Sequence, residues 1–378
     1  AIPHNGNLSN GIMFSDKTFD GKRINRAYAE ARIRWEPIIE VTQIKGDGEA
    51  HPVLSPDDEF ANFENWDVAN IDGSVPKEDW MLEYEYGRSA LKVGLELGKK
   101  LGANPYQFGL SAATDSHTGL ATSREANYFG KYAKTEPSPN RQNHEVIPAD
   151  DPALRIMTGQ EVASGLTAVW ARENTRGEIF DAMKRKEVYG TTGTRIMVRV
   201  FGGWDFEADE VVRPDFISQG YRRGVPMGGV LRDAPEGGAP RFMIRALRDP
   251  DGANLDRIQI IKGWLDDDGD AQERIYDVAV SDGREIGSNG RARAPVGNTV
   301  DIPTASYTNS IGDAFLVAHW QDPDFDPEAH AFYYVRVLEI PTPRWTTYDA
   351  AFFGIDLPDY VPATLQDRAY TSPIWYTP

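Results

Sequence analysis

Hydrophobic and polar positions alternate in two different rhythms along this chain, and the change falls near residue 195. In the first half, Ile24, Ala27, Tyr28, Ala31 and Trp35 fall on one helical stripe within 20–35, which Pro37 ends. A short β-rich run, Ile38 to Ile44, follows and is closed by Lys45-Gly46-Asp47-Gly48. Residues 46–75 read as a long polar loop, a kind of segment that is often functional. Pro76 then opens a second helix predicted over 77–100, with Trp80, Tyr84, Leu91 and Leu95 on one side. Phe108 to Thr114 reads as a small-residue strand that delivers Asp115-Ser116-His117. After a polar loop over 133–152, Asn174-Thr175-Arg176-Gly177-Glu178 caps a third helix, with Ile179, Phe180, Met183 and Val188 suited to one buried face.

After Gly193 the rhythm becomes period-2. Arg195–Val200, Arg241–Ala246, Ile258–Lys262, Ile275–Val280 and Ala331–Val337 are short strand-like runs separated by Asp/Gly turns. The expectation is therefore an α/β region over 1–195 and a mostly antiparallel, sandwich-like β region over 196–378. Thirty-five Gly and 25 Pro are consistent with many turns. Asp266-Asp267-Asp268-Gly269-Asp270 has calcium-like spacing, but Asp277 stands where a terminal Glu is needed, so a hairpin loop is the better reading.

Charge narrows the function classes. Forty Lys and Arg against 58 Asp and Glu give −18, which disfavours general nucleic-acid binding, although a local basic patch could survive. With no cysteine, disulfides, thiolate metal sites and thiol nucleophiles are excluded, so a metal must be held by His, Asp, Glu or backbone oxygen. No apolar run approaches the ~20 residues of a membrane span. Neither a Gly-x-Ser-x-Gly nucleophile motif, nor a P-loop, nor a well-placed dinucleotide fingerprint is present.

Six histidines can be weighed singly. His117, two positions after Asp115 and just past a strand, sits where open α/β and barrel sites lie, and an imidazole with a carboxylate suits Zn, Mn or Fe. Alone the pair is a weak signal. His4, in Pro3-His4-Asn5-Gly6-Asn7 after an apolar stub, strengthens it, its bland alternative being a hydrogen-bonded loop residue. Glu49 and His51 in the long loop could touch substrate or complete a metal shell, with simple solvation slightly ahead. His144 is expected to be exposed, and His319 and His330 to be structural. Gly190 to Arg195 offers backbone donors, hydroxyls and a guanidinium for an oxyanion, and serves equally well as a tight link between the two regions.

Ala1 to Gly11, Gly46 to Phe60, Thr114 to His117, Ala163 to Trp170, Phe201 to Trp204 and Tyr333 to Trp345 together resemble the DUF3604 family. That family looks like a branch of the PHP (polymerase and histidinol phosphatase) superfamily of metal-dependent hydrolases. The resemblance implies a distorted (β/α)7 barrel with a cluster of two or three divalent metal ions, Mn, Zn or Fe, at the strand C-termini. It assigns His4, Asp115 and His117 as metal ligands, with Asp115 and His117 at the catalytic centre. It leaves Arg195, Glu49 and His51 as candidate substrate contacts. The implied reaction is hydrolysis of a small ester, a phosphate ester by default and a phosphonate or sulfate ester by the same geometry, through a metal-activated water. The family's upstream His-x-His, Asp-His pair and Glu have no match here. The chain starts at Ala1 and its first Met is Met13, so it is expected to represent the C-terminal part of the barrel followed by the β region, with an N-terminal segment completing the site. Export signals upstream in family members favour a periplasmic or secreted location, and the oligomeric state is left open. Two alternatives stand beside the hydrolase: an inactive scaffold with a carbohydrate- or protein-binding sandwich, and a metal-dependent lyase.

Overall fold

The computed structural model describes all residues, 1–378. Helix α1 (Arg26–Trp35) starts where the Asn25 side chain accepts a hydrogen bond from the Tyr28 N–H, a standard N-cap. Strands β1 (Ile38–Gln43) and β2 (Gly46–Asp47) form a tight antiparallel turn. The helix expected over 77–100 is split into α2 (Asp79–Leu82) and α3 (Gly87–Leu101). The reason is local: the Gly87 and Arg88 N–H groups at the head of α3 donate to the carbonyls of Gly48 and Glu49, so the preceding turn cannot be helical. β3 (Gly109–Ala112) then pairs in parallel with β1.

A short ribbon of β4 (Glu145–Ile147) and β5 (Ile156–Met157) interrupts the polar segment before β6 (Leu166–Val169). Helix α4 (Arg176–Lys184), capped by the Thr175 hydroxyl, returns the chain to β7 (Val188–Thr191). The second half supplies β8 (Met197–Gly203), α5 (Phe216–Arg223), β9 (Gly224–Pro226), β10 (Val230–Leu231), β11 (Arg241–Leu247), β12 (Leu255–Leu265), β13 (Ala271–Val280) and β14 (Phe315–Gln321). It ends with β15 (Ala331–Glu339), β16 (Thr342–Pro343), α6 (Trp345–Phe353), β17 (Thr364–Leu365), β18 (Arg368–Thr371) and β19 (Ile374–Tyr376).

The sheets are open, and none closes into a barrel. One has three strands, β2-β1-β3; one has eight, built from β6, β7, β10, β12, β13, β15, β18 and β19; and one has four, β14-β11-β8-β9. The eight-stranded sheet takes β6 and β7 from before residue 195 and its other strands from after it, so the two expected regions share a sheet. Its one face packs on the four-stranded sheet: Ile258, Ile260, Val335 and Val337 meet Val198, Val200, Phe242 and Ile244 in one core. Its other face carries Ile261, Phe332 and Tyr334 against Leu91 and Leu95 of α3. Burial on both faces explains why Ala331 to Leu338 is almost unbroken in hydrophobicity rather than alternating. The Asp266–Asp270 run is the β12–β13 hairpin turn, closed by the Asp266 N–H on the Asp270 carbonyl.

Candidate functional site

Backbone geometry brings the ends of the first segment, β1 and β3 together. The Glu40 N–H donates to the Pro3 carbonyl, laying His4 beside β1. The Gln43 side chain donates to Asn5 at 2.8 Å, fixing the turn after His4, where Asn5 has φ 59°. β6 begins close by: a Cβ on Gly165 would lie 2.6 Å from the Thr42 carbonyl oxygen and 2.8 Å from that of Ala113, so only glycine fits at this crossing. Asp115 follows β3 with φ 51°, a left-handed conformation rarely adopted outside glycine and Asn/Asp. The His117 N–H donates to the Lys131 carbonyl, which closes the loop.

The three residues assigned through the family resemblance meet here. His4 Nδ1 lies 2.8 Å from Glu40 Oε2, and its Nε2 lies 3.7 Å from Asp115 Oδ1. His117 Nε2 lies 3.2 Å from the same Asp115 oxygen. The carboxylate is buried, while the two imidazoles are 43% and 54% exposed. His4 and Asp115 line a cavity of about 440 Å³ with Ile2, Thr167 and Met183, a volume suited to a small molecule. The His117 ring also stands edge-on to Tyr132, 5.4 Å between centres.

Two lysines complete the cluster, and the sequence did not single them out. Lys45, just past β1, and Lys131 both reach Asp115 Oδ2, and Lys131 Nζ lies 3.3 Å from His117 Nε2. Burial, followed by the charge of Lys131, lowers the Lys45 pKa to about 7. Burial also lowers Lys131. Behind them Glu161, raised to about 7 by burial, accepts from the Tyr128 hydroxyl. Burial and then the Lys131 and Lys45 charges lower the His117 pKa, which favours the neutral ring. The position of Lys45 at a strand's C-terminal end was the only available signal for it, and such a residue more often simply faces solvent.

The remaining candidates lie elsewhere. Glu49 is buried under Arg88 and Arg336, and its carboxylate also accepts from the Tyr334 hydroxyl. It is not solvated: the 46–58 segment is tucked between α3 and the large sheet, so its buried carboxylates meet internal charges. His51 is buried as well, its Nε2 3.0 Å from Asp67 and its ring against Tyr86. Arg195 is held by Asp249 and Asp251. Gly190 to Arg195 borders a small cleft lined by carboxyl groups. The Thr192 and Thr194 hydroxyls donate there to Asp367 and Glu339, beside Glu125. His144 is exposed, and His319 Nε2 pairs with the Phe206 carbonyl at 2.9 Å.

The donor types, two imidazoles and one carboxylate, fit a divalent transition metal, and the Glu40–His4 contact is the kind that orients a metal-binding imidazole. The spacing does not form a finished shell: no group of three or more His, Asp and Glu side chains is already arranged to hold an ion. Asp115 Oδ2 faces lysines rather than further donors.

These features define an α/β protein with open sheets and a His-Asp-His cluster, flanked by two lysines, at the C-terminal ends of β1 and β3. The chain belongs to the DUF3604 family, described as a protein of unknown function, whose model matches residues 1–378. No curated protein and no solved structure matches it. No helix is long and apolar enough to cross a membrane.

Proposed function

We propose that this protein is a metal-dependent hydrolase of small esters, phosphate esters foremost, with phosphonate or sulfate esters as chemical equivalents. The observation that carries the reading is the convergence of His4 Nε2 and His117 Nε2 on one oxygen of Asp115. A divalent cation seated between these three atoms would be drawn by the carboxylate charge and ligated by both rings. His4, Asp115 and His117 would hold Mn, Zn or Fe, and the wider PHP-like reading would add ions through donors outside this set. A bound ion supplies an activated water and polarises the ester oxygen. Glu40 holds His4 by Nδ1 and so presents Nε2. Asp115, fixed by its left-handed backbone, sets the spacing between the imidazoles. Lys45 and Lys131 offer ammonium donors to the non-bridging oxygens of a phosphoryl group and to charge developing on them. Ile2 and Met183 exclude water from one wall of the cavity. A periplasmic or secreted setting belongs to the same proposal.

One observation favours a second reading. Lys45 and Lys131 already neutralise Asp115, so the cluster can stand without any ion, as an inactive scaffold carrying a carbohydrate- or protein-binding sandwich. Titration of the metal-stripped protein with Mn, Zn and Fe, followed by EDTA-sensitive hydrolysis of p-nitrophenyl phosphate, separates the two. Stoichiometric binding that His117→Ala abolishes, with loss of turnover, supports the hydrolase. No binding, and a His117→Ala variant identical to the parent, removes it. Product analysis showing elimination in place of hydrolysis would make the enzyme a lyase.

A further inference from the structure

A second cluster occupies the other end of the β6–β7 pair. Thr191 pairs with Leu166 near the His-Asp-His site, where Thr167 accepts from the Ala112 N–H, whereas Val188 pairs with Val169 at the far end. Beyond that far end, Trp170, Arg172, Arg185, Glu187, Arg199 and Tyr221 line a cavity of about 670 Å³. This lies within the roughly 300–1,000 Å³ range of small-molecule sites.

Two guanidinium groups approach one carboxylate there, and a third lies at the rim. Arg185 and Arg199 both approach Glu187, at 3.4 and 3.7 Å, so they share a single negative charge. Arg172 stands exposed at the rim. In a chain of net charge −18, this local excess of positive charge runs against the composition. Arg199 is fixed in place. Its guanidinium carbon lies 4.1 Å from the Trp170 ring centre and 5.4 Å from that of Tyr221, and Nη2 donates to the Tyr221 hydroxyl at 2.9 Å. That hydroxyl donates in turn to Glu187, and Trp170 Nε1 is tied to the Val198 carbonyl at 3.0 Å. Arg199 Nε and Nη1 are buried without a hydrogen-bond partner, so the protein leaves two of its donors unmet. Aromatic side chains tied by hydrogen bonds, beside exposed rim arginines, suit a planar anion.

We propose that this cavity binds a small organic anion, a carboxylate or phosphate carried on a flat body. Arg172 and Arg185 grip its head, Arg199 compensates its charge from below, and Trp170 and Tyr221 flank the body. The site is independent of the hydrolase reading, because it shares no residue with the His4 cavity.

Calorimetric titration of the full chain with phenyl phosphate, benzoate and inorganic phosphate tests it, in parallel with the Arg172→Ala/Arg185→Ala variant, the charge-reversed Arg185→Glu variant and His117→Ala. Saturable binding of phenyl phosphate or benzoate is expected, weakened at least tenfold in both arginine variants and unchanged in His117→Ala. Both substituted arginines lie at the surface, and a matching far-ultraviolet spectrum confirms that the variants fold. The proposal is overturned if neither organic anion saturates, if the arginine variants bind as the parent does, or if binding disappears in His117→Ala. Inorganic phosphate binding as tightly as phenyl phosphate would overturn the flat body.

Discussion

Two charged clusters in this molecule look alike in composition and differ in construction. Around Glu49 and Asp58, two acids share two guanidiniums: Arg88 reaches both at 2.6 and 2.8 Å, and Arg336 reaches Asp58 at 2.7 Å and Glu49 at 3.2 Å. Gln259 and Tyr334 take further hydrogen bonds, and Asp58 and Arg336 are completely buried. Around Asp115, by contrast, two half-exposed imidazoles crowd one oxygen and two lysines crowd the other. The first cluster is a closed set of opposite charges that joins the 46–58 segment to α3 and β15. The second is open on the cavity side and leaves both imidazoles half exposed. Closure separates a structural network from a candidate site better than residue type does.

The largest expected effect breaks the closed cluster. Arg336→Met leaves Glu49 and Asp58 to share Arg88, and removal of one partner from a buried charge set costs on the order of 3–5 kcal/mol. Urea denaturation of the variant should show a correspondingly lower midpoint. A loss below about 1 kcal/mol would show that the network adds little to stability.

A smaller effect sharpens the edge of the same network. Asp47 is buried, and burial followed by the negative charge of Glu49 raises its pKa to about 7, although it accepts from the Tyr370 hydroxyl at 3.1 Å. In the unfolded chain it titrates near 3.8. Between those values the folded state holds the proton more tightly, so Asp47 contributes stability at acidic pH that is lost as pH rises through about 7. Asp47→Asn cannot ionise. Its stability relative to the parent should rise between pH 5 and pH 8, by about 1–3 kcal/mol. Parallel melting curves over pH 5–8 would break the assignment.

The contrast between the clusters also shows what could be read from residues alone. His4, Asp115 and His117 each follow a strand or strand-like stub, and with the family resemblance they pointed to a common site. Glu40, Lys45 and Lys131 join it across up to 70 positions, through a parallel pairing of β1 with β3 that no local pattern encodes. Glu49 and His51 were misplaced because a polar, aperiodic segment reads as solvated, whereas its carbonyls cap the head of α3 and its carboxylates meet Arg88 and Arg336. That same capping broke the helix expected over 77–100. Strands were legible where a period of two or an apolar run marked them, as at Arg241–Leu247 and Ala331–Glu339. Their gathering into one eight-stranded sheet with β6 and β7 was not, since strand partnership depends on distant burial.

The smallest stability effect belongs to the open cluster. His4 and His117 are each about half exposed, and neither fills a packed core, so His4→Ala and His117→Ala should change folding stability by less than about 1 kcal/mol. His117→Ala also removes a ring from beside Lys131, whose remaining contacts with the Asp115 carboxylate and carbonyl hold it in place. If each substitution nonetheless abolishes titratable binding of Mn or Zn, the imidazoles are held for a ligand and not for the fold. A stability loss of several kcal/mol, comparable with Arg336→Met, would place both histidines in a structural network and erase the difference between the two clusters. Denaturation and metal titration on the same preparations therefore decide the matter together.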